Sequence, residues 1–353
     1  LTVLPLHFDH NVEYAKRIFK RALRFMERIF PFIDFRLDTS LDFLANSLSF
    51  SKQILRLSDL NVVQLSNLES IGVFLPTKRN FKLIIRASSY RNYWDQANEI
   101  PFTKDTKTVQ MLENIQYKKA DKIFAPSKYL VSIVSEKTGK PAEKITSPLH
   151  VTFGNWDDSY VKQLNLNNTD YILYFGILSR RKGIFDLAQA MNLVWNFFPK
   201  LKIVIIGPDY NVNGASNLEK MKAEMIVPYK DKNFIYHTER QHSLLFPVIQ
   251  HSRFVVLPSI YDNCPNSLLE SMEIGKPIIS TFDSGNDEFF PADYKHLLVT
   301  KNNPEMLANR IIELNQLSNE ELQSIGEIFK ENITNTNNID VISLQLLNLY
   351  QSL

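Results

Sequence analysis

The sequence predicts a two-domain α/β protein whose second half is doubly wound and Rossmann-like, and three observations carry that expectation. At 353 residues the chain exceeds what one hydrophobic core comfortably supports and suits two domains. Short β-branched runs alternate with helical patterns through the second half. Those runs are apolar on both faces, as strands are in a parallel sheet covered by helices on both sides.

Taken in order, Tyr171–Phe175 is a short apolar run closed by Gly176. After a basic turn, Ile184–Phe198 carries apolar residues at helical spacing, with Pro199 beyond it. Lys202–Ile206 is a strand ended by Gly207 and Pro208, 233–237 reads as another strand and 243–250 as a short helix. Arg253–Leu257 is a strand, Pro265–Ile274 a helix and Lys276–Ser280 a strand again. The first half repeats the alternation more weakly. Strands are expected at 2–6, 62–65, 83–86 and 122–125, and helices at 11–30, 41–57, 106–119 and 128–138, the last stopped by Gly139. The polar, irregular stretch 148–168 reads as a linker, and a helix over 340–350 follows the polar segment 332–338. The expected domains are therefore 1–160 and 161–338, with the terminal helix of 339–353 packing back near the first.

Composition excludes several classes. With 44% hydrophobic and 22% charged residues the chain is globular rather than disordered. No apolar run is long enough to span a bilayer, and no signal-peptide pattern opens the sequence. It starts at Leu1 without a methionine, so only short spacings are used. Cys264 is the only cysteine, which rules out an internal disulfide and fits a reducing cytoplasm. A net charge of +2 gives no reason to expect nucleic acid as a partner.

The chemistry concentrates between Leu257 and Pro277. In an open parallel sheet, ligands bind at the carboxyl ends of strands, where helix N-termini present unpaired amides. The strand ending at Leu257 leads through a polar loop to a helix beginning near Pro265, a residue suited to a first helical position. Asp262 and Asn263 stand just ahead of it, and Glu270 lies eight positions after Asp262. The turn offers backbone N–H groups to an anion such as a diphosphate. Carboxylates beside it are poor phosphate ligands but good acceptors for sugar and ribose hydroxyls. Spacing alone equally allows Asp262 to be a helix cap and Glu270 a solvated charge.

This segment resembles the donor-site signature of family 4 (group 1) retaining glycosyltransferases. Pro258-Ser259, Asp262, Glu270, Met272 and Gly275-Lys276-Pro277 stand in register with it, with Asp262 where glutamate is usual. The resemblance implies a GT-B fold, two doubly wound Rossmann-like domains with a cleft between them. It further implies a nucleotide-sugar donor carrying UDP, GDP or ADP, and transfer with retention of anomeric configuration to a glycan or lipid-linked acceptor. Such a reaction would serve the assembly of bacterial surface polysaccharide or another glycoconjugate. By the same resemblance Asp262 contacts the transferred sugar, Glu270 the ribose, and the backbone of Asn263, Pro265, Asn266, Ser267 and Leu268 the sugar and diphosphate.

Phe175–Gly183 resembles the family's basic turn. Lys182 matches the lysine that neutralises the diphosphate, a task for a compact ammonium. Ile177 stands where an arginine often follows Gly176, which leaves Arg180 or Arg181 to replace it; a solvated basic turn is the other reading. Gly207 ends the next strand as in the family, and Glu239 falls in a region that often surrounds the base. Around 81–94 the family frequently has a histidine, and here Ser88 or Ser89 takes its place, crowded by Arg86, Tyr90 and Arg91. Glu113 and Lys119–Lys128 also resemble the family's pattern, with Ser127 more simply read as a helix cap.

No Asp-x-Asp cluster and no His/Cys set is present, so no cofactor and no metal are expected. In 11–30 an apolar stripe, expected to pack on the sheet, opposes a basic face formed by Lys16, Arg17, Lys20, Arg21, Arg24 and Arg28. That basic face suggests a weak contact with an anionic membrane, hence a cytoplasmic protein peripheral to its inner face. Two rival readings stay open: a silent sugar-nucleotide-binding partner subunit, and an epimerase or phosphorylase of the same fold.

Overall fold

The structure is a computed structural model that describes residues 9–29, 36–148, 156–167, 169–210, 214–238 and 241–353. Its contacts divide the chain into Leu1–Ile145 with Leu344–Leu353, and Thr146–Ser343.

In the first unit four parallel strands, β1 (Val62–Ser66), β2 (Lys82–Arg86), β3 (Lys122–Ala125) and β4 (Ala142–Lys144), pair in sequential order. A further strand expected at 2–6 lies outside the described residues. The helices are α1 (His10–Ile29), α2 (Asp38–Ile54), α3 (Arg91–Ala97), α4 (Lys104–Lys119) and α5 (Lys128–Thr138). Their ends are chemically marked. Thr103 and Thr106 form a capping box on α4, Ser127 accepts the Leu130 amide at the head of α5, and Gly139 closes α5 at φ 69°.

The second unit is built on six parallel strands: β5 (Tyr171–Phe175), β6 (Lys202–Ile206), β7 (Phe234–His237), β8 (Val255–Val256), β9 (Ile278–Thr281) and β10 (Leu298–Val299). Their order is β10-β9-β8-β5-β6-β7, so the chain winds outward from β5 and returns to its other side at β8. Around them run α6 (Ser159–Gln163), α7 (Ile184–Val194), α8 (Asn217–Glu224), α9 (Tyr229–Asn233), α10 (His242–His251), α11 (Asn266–Ile274), α12 (Pro304–Asn315) and α13 (Asn319–Thr336). Every residue of β5 is buried, and α7 lays Ile184, Leu187, Ala188, Met191 and Val194 on the same core. A last helix, α14 (Ile339–Gln351), ends in the first unit, where the Tyr350 hydroxyl donates to Gln64 Oε1 at 2.6 Å.

Several expectations need correction. The helix expected over 184–198 ends at Val194; Phe198 precedes a proline, which disfavours helical backbone, and the Trp195 indole turns inward to Leu201 O at 2.9 Å. Part of the expected linker is α6, whose Tyr160 and Val161 join the second unit's core. The polar segment from 332 is instead the last turn of α13, where Thr334 and Thr336 bond back to the carbonyls of Lys330 and Asn332 at 2.8 Å. Pro265 is not the first helical residue but the extended residue before α11.

The largest reversal concerns α1. No residue of it is buried, and its apolar stripe does not pack on the sheet. It lies against α2 by its charged side: Lys16 stands 3.1 Å from Asp42, and Lys20 2.9 Å from Asp42 and 3.5 Å from Asp38. Asp38 and Asp42 repeat every four residues, as do Lys16 and Lys20, so the charges match along the two helices.

Candidate functional site

In the second unit the winding reverses between β5 and β8, and the loops leaving their carboxyl ends flank the crevice where open α/β sheets bind ligands. The loop after β5 holds Gly176 and the basic turn 180–182; the loop after β8 runs through Asp262 into α11. The two are laced together. Amides of Ile260 and Tyr261 donate to Arg181 O at 2.8 and 3.2 Å, and the Asp262 amide donates to Ser284 O at 2.7 Å. Gly183 makes this approach possible: at φ 71° a side chain is disfavoured, and a Cβ would sit 1.8 Å from Pro258 O. Gly207 plays the same part at the end of β6, where a Cβ would lie 1.9 Å from Gly176 O.

Lys182 and Asp262 are partners. The ammonium bonds Asp262 Oδ2 directly, with only 12% and 11% of the two side chains exposed. Asp262 also accepts from Ser259 Oγ at 3.2 Å and from the Asn263 amide at 2.9 Å, while Arg181 Nη1 lies 3.9 Å from Oδ1. Asp262 is therefore not a cap of α11. Burial pushes its carboxyl upward, but Lys182 and Arg181 outweigh that and hold it below the usual carboxylate range. Burial pulls the Lys182 ammonium below its usual range, and the neighbouring Arg181 adds to this against the pull of Asp262.

The two arginines separate. Arg181 turns toward the site, where Nη1 also approaches Tyr261 O at 3.4 Å, whereas the Arg180 guanidinium stands 5.9 Å from the Phe185 ring. On α11, the Leu268 and Leu269 amides bond back to Pro265 O, leaving the Asn266 and Ser267 amides at the helix head. The Leu268 side chain is fully buried in the core, so its own contribution to a ligand is limited to the backbone. Glu270 is 4% exposed rather than a solvated charge; burial pushes its carboxyl up, tempered by His242, whose Nε2 lies 3.8 Å from Oε1. Glu239 lies outside the described residues; nearby, the Tyr236 hydroxyl donates to Gly207 O at 3.1 Å.

The first unit gathers Arg86, Ser88, Ser89 and Arg91 at the carboxyl end of β2. Asn67 and Glu113 organise them. Asn67 Oδ1 accepts the Ser88 amide at 2.7 Å, and its Nδ2 donates to Ser89 O at 2.9 Å and to Glu113 Oε1 at 2.6 Å. Glu113 Oε2 accepts the Arg91 amide at 2.8 Å, at the head of α3. Burial pushes Glu113 up to about 7, against the pull of these two N–H donors. Arg86 Nη1 reaches toward Ser88 Oγ at 3.5 Å, and Arg91 pairs with Asp95 at 2.7 Å over the Trp94 ring. Glu113, Asn67, Ser89, Arg91, Trp94 and Phe43 line a cavity of about 180 Å³.

Residues 157–331, nearly the whole second unit, match the model of glycosyl transferases group 1. The chain carries a group 1 glycosyltransferase domain. A putative colanic acid biosynthesis glycosyltransferase, WcaL of Escherichia coli, is 33% identical over 104 residues, which is 28% of this chain and 26% of WcaL. An uncharacterized glycosyltransferase of Methanocaldococcus jannaschii, MJ1178, is 28% identical over 220 residues, 60% of this chain and 54% of that protein. The matched part of this chain thus spans between about a quarter and just over half of these relatives. Among solved structures, sucrose-phosphate synthase from Thermosynechococcus elongatus superposes with a TM-score of 0.72 at 20% identity, over 88% of this chain and 78% of that one. Anabaena HepE in complex with UDP-glucose gives 0.70 at 15%, over 86% and 82%. These share the GT-B class of fold.

Three features of the candidate site become visible only in the fold. His242 beside Glu270 comes from α10, 28 residues away, and no short spacing connects them. Asn67 looks like any loop asparagine until its three side-chain bonds are seen. Ser284 supplies the carbonyl that fixes the Asp262 backbone. None carries a local signal.

Proposed function

We propose that this protein transfers a glycosyl group, with retention, from a UDP-, GDP- or ADP-sugar to a glycan or lipid-linked acceptor in surface polysaccharide or glycoconjugate assembly. The observation that carries the reading is the meeting of Lys182 and Arg181 with Asp262 at the β5/β8 crevice, with Glu270 on the helix that follows. The diphosphate sits at the head of α11, where the Asn266 and Ser267 amides and the helix dipole favour negative charge. Lys182 exchanges Asp262 for the departing phosphate oxygen and, with Arg181, meets the charge that develops as the glycosidic bond breaks. Asp262, released from the lysine, accepts from hydroxyls of the transferred sugar, and Glu270 accepts from the ribose. Retention rests on the family resemblance. HepE's complex with UDP-glucose and the name given to WcaL support the donor and the polysaccharide role by analogy.

The cavity at Glu113, Ser89 and Arg91 is our candidate for the acceptor side. Helix 11–30 would bring the protein to an anionic membrane, at the cytoplasmic face. No described helix is long and apolar enough to cross one. The test is incubation with each sugar nucleotide in turn, together with an extract of glycan and lipid-linked acceptors, followed by detection of free nucleoside diphosphate. Release with one donor, abolished in Glu270→Ala, supports the reading; full activity in that variant would remove Glu270 from the site. Donor binding without release would favour the silent partner subunit.

A further inference from the structure

In α1 the side turned away from α2 is the apolar one. Ile18, Phe19, Phe25, Met26 and Ile29 recur at three- and four-residue spacing and share one face with Ala22. Phe25 is 61% exposed, and Phe19 and Ile29 are about half exposed. Contiguous apolar surface of this kind marks an interaction site. Along one flank run Arg17, Arg21 and Arg28, exposed and without an ion-pair partner among the described residues. The side facing α2 is committed elsewhere: Lys16, Lys20 and Arg24 pair with Asp42 and Asp38 of α2.

We propose that α1 lies in the plane of an anionic bilayer, with Phe19, Phe25, Met26 and Ile29 among the acyl chains and Arg17, Arg21 and Arg28 at the headgroup phosphates. This rests on the membrane contact proposed above and changes its nature. The contact is insertion of an apolar face, anchored by a row of arginines, rather than attraction of a basic face alone. An anionic bilayer supplies both an apolar interior and the counter-charge, whereas a second copy of this face would bring arginines toward arginines. The placement also has a use. Asp42, which holds Lys16 and Lys20, is followed by Phe43, and Phe43 lines the cavity that contains Ser89, Arg91 and Glu113. Seating α1 in the bilayer brings that cavity to within about one helix layer, about 10 Å, of the lipid surface.

The test is co-sedimentation of the full chain with phosphatidylcholine vesicles, with and without phosphatidylglycerol, at low salt and near 1 M, where the Debye length is about 3 Å. Insertion predicts binding to the anionic vesicles that partly survives high salt. It predicts more than about tenfold weaker binding for Phe19→Ser/Phe25→Ser/Met26→Ser at both salts. It predicts that Arg17→Gln/Arg21→Gln/Arg28→Gln weakens binding chiefly at low salt. In Phe25→Trp the emission should shift to the blue and be quenched by brominated acyl chains. All these side chains are exposed, so the variants should keep the wild-type circular dichroism. Binding that salt abolishes completely, and that the serine variant retains, overturns insertion. So does a wild-type dimer in light scattering that the serine variant converts to monomer. No binding to any vesicle removes the membrane contact as well, while sugar-nucleotide turnover in the same samples reports separately on the glycosyltransferase reading.

Discussion

Replacing Lys182 by Met separates the two things its ammonium does. Asp262 would keep Ser259 Oγ, the Asn263 amide and the Arg181 guanidinium at 3.9 Å, but lose its direct ion partner while still only 11% exposed. Removing one member of a buried pair costs about 3–5 kcal/mol, and the remaining donors place this variant near the lower figure. For a unit of this size each kcal/mol moves the midpoint by about 2–4 °C, so the second unit should melt about 6–12 °C lower. Asp262→Asn should cost at least as much, because it leaves Lys182 beside Arg181. Burial already holds the Lys182 pKa low. A lysine depressed in the folded state weighs against folding below that pKa, so the Asp262→Asn deficit should shrink as pH rises toward 10. The double variant Lys182→Met/Asp262→Leu removes both charges and should return to within about 1 kcal/mol of wild type. Thermal and urea unfolding of wild type, Lys182→Met, Asp262→Leu and their double variant form the cycle. Single variants within about 0.5 kcal/mol of wild type, or a double variant showing the plain sum of the singles, would refute the coupling.

Other outcomes follow from the same geometry. The Glu113 carboxyl titrates near 7 in the folded protein against an ordinary 4.5, so its contribution to stability is complete below about 4.5 and lost as pH rises through 7. The first unit should weaken by up to about 3 kcal/mol across that window, and Glu113→Gln should flatten the profile; an unchanged profile would show that Glu113 is not the group titrating. Gly183→Ala places a methyl against Pro258 O at φ 71°, so it should destabilise the second unit by more than about 2 kcal/mol and remove donor binding. Retention of wild-type donor affinity there would mean that the two loops need not touch. Arg181→Gln should weaken nucleoside diphosphate binding about tenfold or more, while Arg180→Gln should not, and calorimetric titration with the free nucleotide distinguishes them.

Much of the second unit was legible because its signals are local. A fully buried strand such as Tyr171–Phe175 is an uninterrupted apolar run, and Gly183 punctuates the turn before α7. The pairing of Arg181, Lys182 and Asp262 was only half legible. Their presence showed in short motifs, but Lys182 and Asp262 are 80 residues apart and their direct bond depends on the β5/β8 reversal. The spacing of Glu270 leaves its role open because burial is a tertiary property. In the first unit the buried side of α1 is hidden from the sequence for a related reason. Its periodicity defines two faces but not which of them meets a neighbour, and Asp38 and Asp42 on α2 decided that. Asn67, His242 and Ser284 were invisible because their partners come from other elements.

Thermal unfolding in the presence of UDP-, GDP- and ADP-sugars tests the central claim most directly. At about 100 times the dissociation constant a bound donor adds about 2.7 kcal/mol, enough to raise the second unit's midpoint by about 5–11 °C. A donor held by these residues should give such a rise for one nucleotide series, lost in Glu270→Ala and in Lys182→Met. No rise with any of the three, or a rise that both variants keep in full, would contradict a sugar nucleotide bound in the β5/β8 crevice.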